Sequence, residues 1–142
     1  MTNVPSKNTA DYGALVLRLA LGAMYLSHGL LKIFVFTLPG TAAFFSAQGF
    51  PAWTAYAVVA AEVLAGIALI VGFQVRLVAL AGLPILFGAL AVHLPNGWVF
   101  SAPNGGWEYP AFLIVASIVQ ALIGAGAYAV NWPLSRVRLA HA

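Results

Sequence analysis

Apolar residues run almost unbroken through four stretches of the chain, residues 13–36, 53–73, 77–94 and 109–130, separated by shorter segments where Pro, Gly, Asn and Gln gather. Each stretch is long and apolar enough to cross the ~30 Å hydrocarbon layer of a membrane. Together they predict an all-α fold, an integral-membrane bundle of four transmembrane helices in a single domain over residues 1–142. The first stretch carries most of the polar interruptions. Read as a helix at ~100° per residue, it places Arg18, Gly22, Tyr25, His28, Gly29 and Lys32 within an arc of roughly 120°. Ionisable groups facing lipid cost at least ~2.5–3.5 kcal/mol each, so this arc points at partners inside the bundle.

The segments between the stretches read as connections. Residues 1–12, with Pro5, Lys7 and Asp11, form a polar arm, and residues 131–142 a polar tail. Residues 37–51 contain Pro39, Gly40, Gly49 and Pro51, which suggests a loop resting in the membrane interface on Phe44, Phe45 and Phe50. Gln74 to Arg76 makes a tight connection. The third span carries Pro84 at its middle and His93 at its end. Residues 95–108 hold the turn signals Asn96-Gly97 and Asn104-Gly105-Gly106, with Trp98 and Trp107 suited to an aromatic belt. Lys7, Arg76, Arg136 and Arg138 fall on the side of the termini, and the two loops on the other side have no Lys or Arg. The positive-inside rule then puts both termini in the cytoplasm.

Composition agrees with the pattern. Of 142 residues, 63% are hydrophobic and 6% charged, against about 25% charged in a soluble domain. Such a chain is embedded in a lipid bilayer. Six Lys and Arg, several at membrane depth, give nucleic-acid binding no support. Absence of cysteine excludes disulfides, thiolate metal sites and thiol redox chemistry of the chain itself. The first apolar run exceeds the ~7–15 residues of a signal-peptide core and contains Arg18 and Lys32, so it is expected to stay.

A rise of ~1.5 Å per residue puts His28 ~12 Å, Glu62 ~13 Å, Lys32 ~6 Å and Gln120 ~16 Å below the outer boundary. His28 and Glu62 are level, and the Lys32 stem can reach Glu62 or snorkel outward. The expected constellation is a polar pocket in the outer half of the bundle built from His28, Lys32, Glu62 and His93, with Tyr25 and Gln120 as lining. Arg18 lies near the cytoplasmic end, ~15 Å from Glu62 along the normal, and either snorkels to head groups or joins the site. Glu62 with Lys32 or His28 also reads as a structural pair fixing helix register, and His93 as a rim residue. Haem ligation by His28 and His93 is disfavoured by their different depths, and no metal is expected. The glycines read as close-packing positions between membrane helices.

The order Arg18-x3-Gly22, His28-Gly29-x2-Lys32, Gly49-x-Pro51, Glu62-x3-Gly66, Gly72-x3-Arg76, His93 and Asn104-Gly-Gly-Trp-Glu108 resembles the DoxX family of small four-helix bacterial membrane proteins. The similarity runs from about Asp11 to Trp132. It implies a bacterial cytoplasmic (inner) membrane protein labelled an oxidoreductase, with relatives in thiosulfate:quinone oxidoreductase and in quinone resistance. Arg18, His28, Lys32, Glu62, Arg76 and His93 match family-typical positions.

Site chemistry and resemblance together lead to a quinone-interacting membrane oxidoreductase or its membrane subunit. Glu62, His28 and Lys32 are its catalytic candidates: Glu62 exchanges protons, and Lys32 and His28 donate to the bound oxygen atoms. Arg18, Tyr25, His93 and Gln120 are its binding candidates. Quinone is the expected cofactor, and a flavin or nicotinamide would sit on another chain, because no nucleotide-binding glycine loop is present. An oxidoreductase partner protein and a homodimer fit a bundle this small. The alternatives are a proton-coupled transporter or binding protein for a small solute, and a non-catalytic anchor for a partner.

Overall fold

A computed structural model describes residues 8–130, and every regular element in it is helical. Lys7, Arg136 and Arg138, on which the predicted orientation partly rests, lie outside the described residues, as does the expected C-terminal tail. The chain forms α1 (Thr9–Phe34), α2 (Leu38–Ala47), α3 (Trp53–Val71), α4 (Val75–Ala81), α5 (Leu83–His93), a 3-10 turn (Leu94–Asn96) and α6 (Glu108–Ile123). α1, α3 and the α4–α5 unit through Asn96 are each long and apolar enough to cross a membrane. α6 is apolar but has 16 residues, about 24 Å of helix. Three of the four expected crossings are therefore long and apolar enough to span, and α6, expected as the fourth, falls short of that length.

Four of the differences from the sequence reading have a clear physical cause. α1 begins at Thr9, inside the expected arm, because Asn8 and Asp11 form a capping box, each side chain 3.0 Å from the other's backbone nitrogen. The expected loop after α1 contains a helix: Thr37 caps α2 by accepting from the Gly40 N–H at 3.2 Å, with Pro39 in the first turn. The third span is divided at Gly82, because Pro84 has no N–H to give to the carbonyl four residues back and its ring crowds that carbonyl. The last helix ends at Ile123 instead of reaching Val130, since Gly124 and Gly126 take φ of 85° and 68° and turn the chain back.

That returning segment closes one end of the bundle. Ala127 N–H donates to Asp11 O at 2.9 Å, and Val130 N–H to Val71 O at 3.3 Å. Arg18, 1% exposed, binds it further. Its Nε donates to Ala125 O (2.9 Å), one terminal nitrogen to Ala127 O (2.8 Å), and the other to Leu69 O (3.0 Å) and Ile70 O (2.6 Å). The guanidinium thus faces the C-terminal carbonyls of α3, the negative end of that helix.

α1 packs chiefly on α3, and glycines set the distance. A Cβ on Gly66 would lie 2.6 Å from Leu26 N and 2.7 Å from Leu26 Cβ, and one on Gly22 would lie 3.0 Å from Gly66 O. Gly66→Ala is therefore expected to force the helices apart at about 1–3 kcal/mol. Gly13→Ala, with nothing within 4 Å, is expected to leave stability unchanged or raise it by up to about 1 kcal/mol. Thermal unfolding of the two variants in detergent checks the pair.

Candidate functional site

At the end of the bundle away from Arg18, the helices border a half-open cavity of about 760 Å³. Leu21, Tyr25, His28 and Lys32 of α1 line one side, with Val58 and Glu62 of α3 beside them. Ile85, Leu86, Ala89, Val92 and His93 come from α5, and Tyr109, Pro110 and Leu113 from α6. Phe44, Phe45, Gln48 and Phe50 form a wall from α2 and the turn after it. The lining is mostly hydrocarbon and aromatic, with few polar groups.

The polar anchor is an ion pair. Lys32 Nζ lies 2.7 Å and 2.8 Å from the two Glu62 oxygens, and the side chains are 18% and 7% exposed. Close backbone approach makes the pair reachable: a Cβ on Gly29 would lie 2.8 Å from Val63 Cγ2 and 3.4 Å from Glu62 Cβ. Lys32, three residues on along α1, then stands over Glu62. The Lys32 carbonyl also accepts from Thr41 Oγ1 at 3.4 Å, which ties α2 to this part of α1.

Both histidines have one nitrogen committed. His28 Nδ1 is 2.8 Å from Met24 O, and His93 Nδ1 is 2.7 Å from Ala89 O. A carbonyl only accepts, so each Nδ1 carries a proton, and in the neutral ring Nε2 is an acceptor. His28, expected as a donor, in that form accepts instead. Its ring lies near-parallel to Tyr109, with centroids 6.1 Å apart and 23° between planes. His93 faces Gly105, where a Cβ would lie 3.6 Å from Nε2.

An ordered loop lies over this end. Trp98 and Trp107, expected to suit an aromatic belt, pack edge to face with ring centroids 4.4 Å apart. Glu108 Oε1 accepts from Phe100 N–H at 2.7 Å, and Asn96 Nδ2 donates to Gly105 O at 2.8 Å. Phe100, Gly105 and Gly106 of this loop reach the cavity.

Tyr25, His28, Lys32, Glu62 and His93 thus share one cavity, and two candidates lie elsewhere. Arg18 holds backbone carbonyls at the opposite end, so it neither snorkels nor joins the pocket. Gln120 is fully buried between α1 and the end of α6, donating to Ala14 O (3.3 Å) and Gly124 O (2.6 Å). The Tyr25 hydroxyl occupies the place a Cβ would take on Gly82 and lies beside Ser117, and Gln120 Oε1 has no hydrogen-bond partner among the described residues. Among the same residues no three His, Asp or Glu side chains cluster as a metal site. The aromatic wall from α2, the Tyr109 ring and Phe100 are lining groups that sequence reasoning missed. Thr37 with Pro39 was the available signal for α2.

Comparison with known proteins gives two findings. The DoxX family model matches residues 13–94. "Putative oxidoreductase CatD" of Bacillus subtilis (strain 168) is 31% identical over 115 residues, covering 80% of this chain and 81% of the relative. No solved structure matches the chain.

Proposed function

Because the chain belongs to the DoxX family, as a multi-pass membrane protein similar to a relative named an oxidoreductase, we propose that it is a quinone-interacting component of a membrane oxidoreductase. In this reading it lies in the bacterial cytoplasmic membrane with its termini inside, and the cavity sits in the outer half. The observation that carries the reading is the joining, in one mostly apolar space of about 760 Å³, of a carboxylate–ammonium pair and two imidazoles. Binding cavities for small molecules have this character, about 300–1,000 Å³ of apolar wall with a few placed polar groups.

The donor set fits a ring with oxygen atoms and an apolar tail. Lys32 spends two N–H bonds on Glu62 and keeps one for a ring oxygen. Glu62 is the group that exchanges protons, since a carboxylate beside a bound oxygen is within reach of the proton that moves there. Phe44, Phe45 and Phe50 offer faces to a ring or chain. A bound quinone supplies acceptance of two electrons with two protons, the electrons coming from a reduced flavin or nicotinamide on another chain.

Gentle detergent purification followed by mass spectrometry of the extracted lipids tests the reading. Quinone is expected with the wild-type protein and at least fivefold depleted in both Glu62→Gln and Lys32→Ala. Folded wild-type protein with no quinone, together with pH-dependent solute flux in liposomes, would replace the redox reading with transport.

A further inference from the structure

The cavity is richer in acceptors than in donors, and the two histidines cause the imbalance. With Nδ1–H bound to Met24 O and to Ala89 O, each neutral ring presents only the Nε2 lone pair. Glu62 adds carboxylate lone pairs. Thr54 Oγ1 donates to Pro51 O at 2.6 Å and keeps acceptor capacity, and the Tyr109 hydroxyl is taken up by Met24 Sδ at 3.3 Å. The donors left facing the cavity are one N–H of Lys32 and the side-chain amide of Gln48, which also accepts, because the Tyr25 hydroxyl is lodged against Gly82. A quinone carbonyl has only lone pairs to offer, so opposite an imidazole Nε2 it meets another lone pair. A ring hydroxyl there makes an O–H···N bond.

We propose that the cavity selects the reduced, hydroxyl-bearing form of its ring ligand, a diphenol, and that His28 and His93 are the acceptors that read the hydroxyl groups. This rests on the quinone reading above and adds to it a preferred redox state. Both imidazoles are half-buried, and a bound ring takes the remaining water from them; an acceptor then left without a donor costs more than an average hydrogen bond contributes, so two acceptors together support a preference of about tenfold or more. For a two-electron couple, tenfold tighter binding of the reduced form raises the potential of the bound ligand by about 30 mV. The site would then draw electrons into the ring and release the oxidised form readily.

The test compares three probes on wild-type protein in nanodiscs, anaerobically at pH 8: trimethyl-p-benzoquinone, its hydroquinone, and the dimethyl ether of that hydroquinone. Equilibrium binding is measured against empty nanodiscs, which removes lipid partitioning. The hydroquinone is expected to bind at least tenfold tighter than either other probe. In His28→Phe with His93→Phe the preference over the quinone is expected to fall below threefold, with the quinone affinity retained. Quinone binding as tight as hydroquinone binding, or an ether that matches the hydroquinone, overturns the selection by hydroxyl groups and leaves the ring site standing. Binding of none of the three overturns both the selection and the quinone reading. The wild-type comparison decides by itself if the histidine variants do not fold.

Discussion

Arg18→Met is expected to lower stability by at least ~3 kcal/mol, the scale of removing one partner from a buried charged network. The guanidinium makes four hydrogen bonds, all to backbone carbonyls, and bonds to a charged donor contribute about 1.5–3 kcal/mol each when considered singly. They are not additive. Methionine fills much of the space but leaves the carbonyls of Ala125 and Ala127 without this donor, in a segment that has left helical geometry. Arg18→Lys is expected to recover less than half of the loss. A lysine donates from one point, whereas these carbonyls belong to the end of α3 and to the returning chain after α6, which a planar fork can bridge. Unfolding in mixed detergent micelles, with helix content as readout, checks both variants. An arginine that merely snorkelled to head groups would give losses below about 1 kcal/mol.

Lys32→Met is expected to cost about 3–5 kcal/mol, because it leaves the Glu62 carboxylate buried without its partner. Glu62→Leu alone is expected to destabilise in the same direction, through an uncompensated Lys32 whose stem can move outward at less cost. The double variant Lys32→Met with Glu62→Leu is expected to be more stable than either single variant and close to wild type, since apolar residues of similar volume commonly replace a buried pair without loss. It is also expected to lose quinone retention completely. That combination separates a pair kept for its chemistry from one kept to hold α1 on α3. A double variant as unstable as Lys32→Met would assign the pair a structural role.

Much of this arrangement was legible in the sequence, for a definite reason. Charges inside apolar runs must find partners, so the helical arc containing Tyr25, His28, Gly29 and Lys32 had to face inward, and depth matching set Lys32 within reach of Glu62. The same logic misplaced Arg18. Counting along straight helices finds side-chain partners, but the partners of Arg18 are carbonyls, which no residue type announces. They also depend on α6 stopping at Gly124, and the apolar character of residues 124–130 hid that stop. Gln120 was misplaced for a related reason: depth does not say which side of α6 meets the cavity. The wall from α2 was hidden because glycine and proline in residues 37–51 read as a loop, although Thr37 and Pro39 start a helix there. The His28 tautomer was out of reach of sequence altogether, because it depends on a hydrogen bond of Nδ1 to Met24 O.

The proposed occupant of the cavity between α1, α2, α3, α5 and α6 is a quinone-type ring. Photolabelling of the protein in nanodiscs with an azido-benzoquinone, followed by peptide mapping, tests it most directly. Labelled peptides containing residues 44–62 and 84–113 are expected, with protection of both by excess unlabelled quinone and at least fivefold less labelling in Glu62→Gln. Labelling confined to outward-facing positions such as Phe112 and Leu122, 69% and 71% exposed, and unaffected by competitor, would show a ring dissolved in lipid and no quinone site in the cavity.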